Sequence, residues 1–262
     1  LRAVIQEART LTALEDAYLP WRPKRRTRAS VAAEKGLKPL ADLLLAQAED
    51  FDPTAASLPY VNEEKGVASP EEALAGAKDI LAERFSEDSE VRQETRRLFA
   101  RKAVLSSTCV KGKEEEGANY RDYFEWKEPA AAMPSHRVLA ILRGEREGFL
   151  SLDASPSEEE ALSILKRLFV RGTGPASRLV AEAAEDSYRR LLKSSMENEL
   201  RTALKKRADA EAIRIFAGNV REVLMSAPMG QRATLAIDPG IRTGCKVVCL
   251  DRQGNLLHDT VV

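Results

Sequence analysis

Residues 235–262 read LAIDPGIRTGCKVVCLDRQGNLLHDTVV, three short apolar runs separated by turn residues. Runs of this length with turns between them predict an antiparallel meander of three strands. In Asp238-Pro239-Gly240 the proline presets φ for a turn and the glycine can take a positive φ, so Asp238 is expected at the tip of the first strand. A carboxylate there could hold a cation or orient phosphate oxygens, although aspartate is also among the commonest turn residues.

Most of the sequence before this stretch has helical periodicity. Ser69-Pro70-Glu71-Glu72 is a capping box that predicts the start of a helix, and the chain from Pro175 to Leu224 is predicted to be helical almost throughout. Val104–Val110 and Gly148–Asp153 are predicted as short strands, and the aromatic residues of Tyr120–Trp126 as a packing cluster. The last helix carries one apolar face that we expect to lie against the helical body: Ile213, Phe216, Ala217, Val220, Val223 and Leu224.

Composition limits the possible functions. The 262 residues include 41 basic and 41 acidic side chains, so the chain lacks the net positive charge of a dedicated nucleic-acid binder, and any such contact must come from a local patch. We find no apolar run long enough for a transmembrane helix and no signal-peptide layout, which predicts a soluble, cytoplasmic protein without a membrane partner. Three cysteines do not form a disulfide framework.

One local patch meets the requirement. Residues 21–28 read WRPKRRTR, five cations within seven residues beside a tryptophan. The cations could grip a phosphate backbone while the tryptophan stacks on a base. Alternatively, the arginines pair with helix-surface carboxylates and the tryptophan packs under the loop, because a run of charges is more often a solvated face. The candidate nucleic-acid-binding residues are Trp21, Arg22, Lys24, Arg25, Arg26 and Arg28.

Four blocks of the sequence, in order along the chain, resemble the Tex family of bacterial transcription accessory proteins. The blocks are Leu14–Arg28, Tyr120–Phe124, Pro134–Ala140 with Arg143–Glu145, and Asp238–Lys246. The resemblance covers essentially the whole chain, and four blocks in the family's order make a chance match improbable.

The resemblance implies a mainly α fold: a multi-helix body with a small β element, followed by the first antiparallel strands of an RNase H-like (RuvC-like, YqgF) α/β domain. We therefore expect a helical scaffold region at 1–228 and the start of the YqgF domain at 229–262. The family plan continues with helix-hairpin-helix units and an OB-fold module that binds RNA. On that plan the chain is expected to be a fragment that lacks those modules.

The resemblance also implies a function. We expect the non-catalytic scaffold portion of an RNA-binding transcription accessory protein, with no cofactor. Its expected partners are RNA or DNA, mainly through modules absent from this chain, and the transcription machinery.

Two alternatives remain open. In RNase H-like nucleases the first strand supplies an aspartate to a two-metal site, so Asp238 would be a metal ligand in a Mg-dependent nuclease or resolvase, which also needs further carboxylates. Asp238-Pro239-Gly240 with Thr243-Gly244 is in addition similar to the phosphate turn of actin-like ATPases.

Overall fold

The structure is a computed structural model, and it describes residues 5–6, 8–23, 25–240 and 244–262. The chain forms two compact units, Leu1–Ala212 and Ile213–Val262. The α-helices are α1 (Leu11–Tyr18), α2 (Arg28–Glu34), α3 (Lys38–Ala46), α4 (Pro53–Ser57), α5 (Pro70–Glu87), α6 (Ser89–Lys102), α7 (Ser135–Arg146), α8 (Glu158–Phe169), α9 (Pro175–Asp186) and α10 (Lys193–Met225). The strands are β1 (Val104–Cys109), β2 (Glu125–Pro129), β3 (Leu150–Ser155), β4 (Thr234–Asp238), β5 (Lys246–Leu250) and β6 (Leu256–Val261).

Helix α5 is central to the first unit. It begins as the capping box predicts: Ser69 accepts a hydrogen bond from the Glu72 amide and Pro70 occupies the first turn. Its small buried residues, among them Ala73 and Ala77, allow α2, α3 and α9 to pack closely against it. Near its end, Phe85 stacks on Phe169 of α8 with ring centroids 3.9 Å apart.

The predicted small β element is a three-stranded antiparallel sheet in the order β2-β1-β3. The central strand buries Leu105, which lies opposite Glu128 on β2 and Ala154 on β3. Both predicted strands are present. Strand β2 is an additional edge strand whose sequence shows little alternation of apolar and polar residues. The aromatic cluster packs as predicted, because Tyr120 is buried in the core and Tyr123 meets Trp126 edge to face.

The chain from Pro175 to Met225 is helical throughout, with a π-helical turn at Ser187–Leu192 between α9 and α10. In the first unit, α10 buries Met196, Leu200, Leu204 and Ala208 at spacings of four residues. Beyond this stretch, α10 continues into the second unit and carries the apolar face predicted from the sequence, which includes Phe216. The contact of this face with the helical body stays a prediction, since helical periodicity identifies a face but not its partner.

The second unit contains the predicted meander, an antiparallel sheet in the order β4-β5-β6. Asp238 pairs in register with Lys246, and Thr234 with Leu250, so β4 ends at Asp238 as the sequence indicates. The turn predicted after Asp238 extends into residues outside those that the structure describes. No helix in the described part of the chain combines the length and apolar character needed to cross a bilayer.

Candidate nucleic-acid interface

The segment Trp21–Arg28 is fixed at both ends by local hydrogen bonds. At its start, a 3-10 turn follows α1, and the Arg22 amide donates to the Leu19 carbonyl at 3.3 Å. At its end, Thr27 and Ser30 form a reciprocal capping box: Thr27 Oγ1 accepts from the Ser30 amide at 3.0 Å and Ser30 Oγ accepts from the Thr27 amide at 2.9 Å. The segment is thus a short connection held between two helix ends.

Most described side chains of the segment point to solvent. Trp21 is 64% exposed, so it does not pack under the loop. Arg22, Arg25, Arg26 and Arg28 are also exposed, and none of them forms a side-chain hydrogen bond or an ion pair with another described residue. Lys24 lies outside the described residues. The geometry leaves these cations available for a ligand, and their role in binding stays a prediction.

Arg22 borders a cleft of about 920 Å³ between α1, α6 and α10, which we call the first cleft. Tyr18, Leu19 and Phe99 supply apolar and aromatic walls, and Thr12, Asn198 and Thr202 supply polar groups. Its lining also holds seven charged side chains: Glu15, Asp16, Arg22, Arg92, Arg96, Glu199 and Lys206.

Four of those charges form a closed cluster at the floor of the first cleft. Arg92 Nε donates to Asp16 Oδ1 at 2.7 Å and its Nη2 to Glu199 Oε1 at 2.6 Å. Arg96 repeats the pattern, with Nη1 2.8 Å from Asp16 Oδ2 and Nε 2.6 Å from Glu199 Oε2. The side chains of Asp16 and Arg92 are 9% and 10% exposed. Burial opposes the charged form of Arg96, but its hydrogen bonds to Asp16 and Glu199 outweigh that effect and raise its pKa.

Sequence reasoning did not find this charge cluster. Arg92 and Arg96 are one helical turn apart on α6, which places both guanidiniums on one face. Their carboxylate partners come from α1 and α10, 76 to 107 positions away along the chain. The available signal was the spacing of Arg92 and Arg96, which places both side chains on one face of a helix together with a threonine and a phenylalanine. Spacing alone does not identify the carboxylates that tertiary packing brings to them.

Arg26 and Arg28 face a different space, a cleft of about 600 Å³ between α2 and α5 that we call the second cleft. Lys35, which also lines it, donates from Nζ to the Gly66 carbonyl at 2.6 Å. Its lining includes the carboxylates of Glu72 and Asp79. Burial raises the pKa of Asp79, and the charges of Arg190 and Arg28 lower it in part.

Asp238, the predicted metal ligand, is at the end of β4 and exposed. Its cross-strand partner is Lys246, a cation that would oppose a metal ion. Asp251 is at the other end of the sheet, where bonds from the Asn255 side chain and amide lower its pKa and engage its carboxylate. Within the described residues, no group of three or more metal-ligating side chains comes together. Thr243 lies outside those residues, so the similarity to an ATPase phosphate turn is a sequence observation only.

Comparison with known proteins identifies the family. The family description "Tex central region-like" matches residues 48–216, and "Tex protein YqgF-like domain" matches residues 232–262. Among curated relatives, "Protein tex" of Bordetella pertussis is 41% identical and "Transcriptional accessory protein Tex" of Neisseria gonorrhoeae is 42% identical, each over 100% of this chain and 35% of its own length. The human "S1 RNA-binding domain-containing protein 1" is 24% identical over the whole chain and 27% of its own length.

The chain thus spans about a third of the length of the bacterial relatives, 35% in each of these two. The first family match lies almost entirely in the helical unit, and the second begins just before β4. Both predicted features, the helical body and the start of a YqgF-like domain, are confirmed. The chain belongs to the Tex family.

Proposed function

We propose that this chain is the non-catalytic scaffold portion of a cytoplasmic transcription accessory protein, and that its helical unit contacts nucleic acid through the Trp21–Arg28 segment. In the proposed organisation, 1–228 is the scaffold region and 229–262 begins the YqgF domain. One relative is named as a transcriptional accessory protein and another as an RNA-binding-domain protein, which supports a role beside RNA or DNA.

The observation that carries the proposal is the contrast between this segment and much of the charged surface. Many cations of the helical unit are paired, for example Lys78 with Glu182 at 2.7 Å and Arg84 with Asp42 at 2.9 Å. Within the described part of the chain, the four arginines of the segment form no such ion pair, and they follow an exposed tryptophan. Unpaired cations can bind a phosphate backbone and release its counterions, which favours binding. Cations that are already paired with carboxylates contribute little to this effect.

The test is fluorescence-anisotropy binding of single-stranded RNA and duplex DNA across a salt series. Replacing Arg22, Arg25, Arg26 and Arg28 by alanine should weaken binding similarly across sequences. The salt slope should fall by roughly 0.7 for each single-strand phosphate that the segment no longer neutralises. The matched control removes the same charge from four exposed cations elsewhere: Lys38, Lys111, Arg121 and Lys127. Equal weakening in both variants would contradict a specific role for the segment.

A metal-dependent nuclease is the second candidate, because the YqgF-like match includes Asp238. The described residues do not fit a metal pair: Asp238 stands opposite Lys246, and no carboxylate cluster surrounds it. Under our proposal, Asp238→Asn leaves nucleic-acid affinity unchanged with or without Mg²⁺. Mg²⁺-dependent cleavage that this variant abolishes would replace the scaffold proposal with the nuclease one.

A further inference from the structure

Two cations that line the first cleft, Arg22 and Lys206, form no ion pair with any residue that the structure describes. Arg22 is on the loop after α1 and Lys206 is on α10, and both are exposed. By contrast, Arg92 and Arg96 at the floor are neutralised by Asp16 and Glu199. The positive charge available to a ligand therefore lies at the rim of the cleft, on two separate elements.

The same cleft offers surface for a flat ring. Tyr18 is 44% exposed and lines the cleft beside Leu19, and the neighbouring Trp21 is exposed next to Arg22. Only 5% of the chain is aromatic, so two exposed aromatic side chains within four residues stand out from the rest of the surface. Aromatic faces beside free cations are the combination that binds unpaired nucleotides.

We propose that the first cleft binds a single strand of RNA or DNA, with phosphates at Arg22 and Lys206 and an unstacked base on Tyr18. This inference rests on the proposed function and names its substrate class. A volume of about 920 Å³ is within the range of built ligand sites and can accept a few nucleotides. Asn198 and Thr12 on its walls can bond sugar or base edges without selecting one sequence.

The cleft favours a single strand over a duplex. In a duplex the base faces are stacked inside, so only phosphates could reach the protein and Tyr18 would have no base to stack on. A duplex would be held by the interaction of its phosphates with Arg22 and Lys206 alone. The chain has no net positive charge that would strengthen this interaction. Preference for single strands is thus a direct consequence of the aromatic wall.

One carboxylate in the cleft opposes the proposed ligand. Glu15 lines the cleft, is exposed, and forms no ion pair with another described residue. Its charge repels a phosphate, so Glu15→Gln should strengthen binding by about twofold, the scale of an exposed charge interaction. Because Glu15 is in the first cleft and not the second, this variant reports on location.

The deciding experiment compares two double variants of the 262-residue chain by anisotropy with a short fluorescent oligouridine. Arg22→Ala with Lys206→Ala should weaken binding about tenfold and lower the salt slope by about 1.4, since each single-strand phosphate contact contributes roughly 0.7. Arg26→Ala with Arg28→Ala removes the same charge from the second cleft and should weaken binding by about twofold at most. All four side chains are exposed, so both variants are expected to fold.

A second readout locates the ligand. The chain has two tryptophans, and the buried Nε1 of Trp126 has no hydrogen-bond partner among the described residues. Trp126→Phe therefore removes no hydrogen bond seen there, should be tolerated, and leaves Trp21 as the sole indole. Oligouridine should then change the Trp21 fluorescence, with a midpoint equal to that of the anisotropy titration. The Arg22 and Lys206 variant should shift both midpoints together.

The outcomes separate this inference from the proposed function. Binding that survives removal of Arg22 and Lys206 but fails without Arg26 and Arg28 would overturn the cleft and keep a nucleic-acid role. Duplex DNA that binds as tightly as oligouridine would overturn the single-strand preference, and a polyglutamate peptide that binds as tightly would show a site for an acidic protein. No binding to any nucleic acid at low salt would end the proposed function together with the inference.

Discussion

The two ends of the Trp21–Arg28 segment face clefts that differ in where their counter-charges lie. In the first cleft, the carboxylates of Asp16 and Glu199 are consumed by Arg92 and Arg96 at the floor. In the second cleft, Asp79 pairs with Arg190 at 3.3 Å, and the charge of Arg28 also acts on it and lowers its pKa in part. Cations adjacent in sequence therefore have different availability, because the tertiary neighbours of each one decide how much of its charge a ligand can use.

The largest expected effect comes from breaking the floor of the first cleft. Asp16→Ala leaves the buried guanidinium of Arg92 with one carboxylate fewer, and we expect the free energy of unfolding to fall by about 3 kcal/mol or more. The control is Asp42→Ala, whose partner Arg84 is exposed, with an expected cost of at most about 1 kcal/mol. Denaturant unfolding measures both, and equal destabilisation would contradict the structural role of the charge cluster.

A smaller effect is expected from filling the second cleft. A Cβ at Gly76 would overlap the buried Leu37 side chain and approach Ala32 Cβ of α2 to 3.2 Å, so Gly76→Ala requires Leu37 to change position and α2 to move slightly away from α5. Overpacking costs about 1–3 kcal/mol, which exceeds the gain in helix propensity of roughly 0.5–1 kcal/mol. Thermal unfolding should show net destabilisation.

The matched control for that change is Gly218→Ala, also within a helix but with nothing within 4 Å of the added Cβ. It should stabilise its helix by about 0.5–1 kcal/mol. If both variants changed the free energy of unfolding in the same direction, close packing against α5 would not be the cause of the effect at Gly76. Gly76 is not among the described residues that line the first cleft, so Gly76→Ala should keep its affinity for oligouridine.

The Thr27 cap holds the second half of the Trp21–Arg28 segment at the start of α2. Thr27→Ala removes the side-chain acceptor for the Ser30 amide, and loss of such a cap costs about 1 kcal/mol. Hydrogen exchange of the Ser30 amide should accelerate. Thr10→Ala, which removes the corresponding cap of α1, should instead affect the Ala13 amide. Acceleration at both helix ends in either variant would indicate that the segment opens as one unit.

The smallest effect is a titration. Because burial raises the pKa of Asp79 above its unfolded value, the folded chain binds more protons between the two values, and stability falls as pH rises through that range. Arg28→Ala removes a charge that lowers this pKa, so the pKa should rise further and the fall in stability should grow. Arg22→Ala should leave the pKa of Asp79 unchanged. Carboxyl-carbon NMR titration distinguishes the two, and identical curves would place Arg28 outside the reach of Asp79.

Much of the fold could be predicted because its signals are local. The cap at Ser69, the strands at Val104 and Leu150 and the end of β4 at Asp238 depend on neighbouring residues, and each appears where the sequence indicates. The turn predicted after Asp238 runs into residues outside those that the structure describes. Strand β2 was missed because Trp126 is the one large apolar residue in Glu125–Pro129, so the alternating burial of this strand does not appear as an apolar and polar pattern in the sequence.

The sequence by itself determined the family, the fold class, the cluster of cations after Trp21 and the position of Asp238 at a strand tip. Tertiary structure alone decided that Arg22 shares a cleft with Lys206, that Arg28 is near Asp79, and that Asp238 stands opposite a lysine. The physical reason is the separation along the chain over which each kind of interaction acts. Capping, turns and periodicity act over a few residues, whereas ion pairs and clefts join side chains that the packing of α1, α6 and α10 brings together from distant parts of the chain.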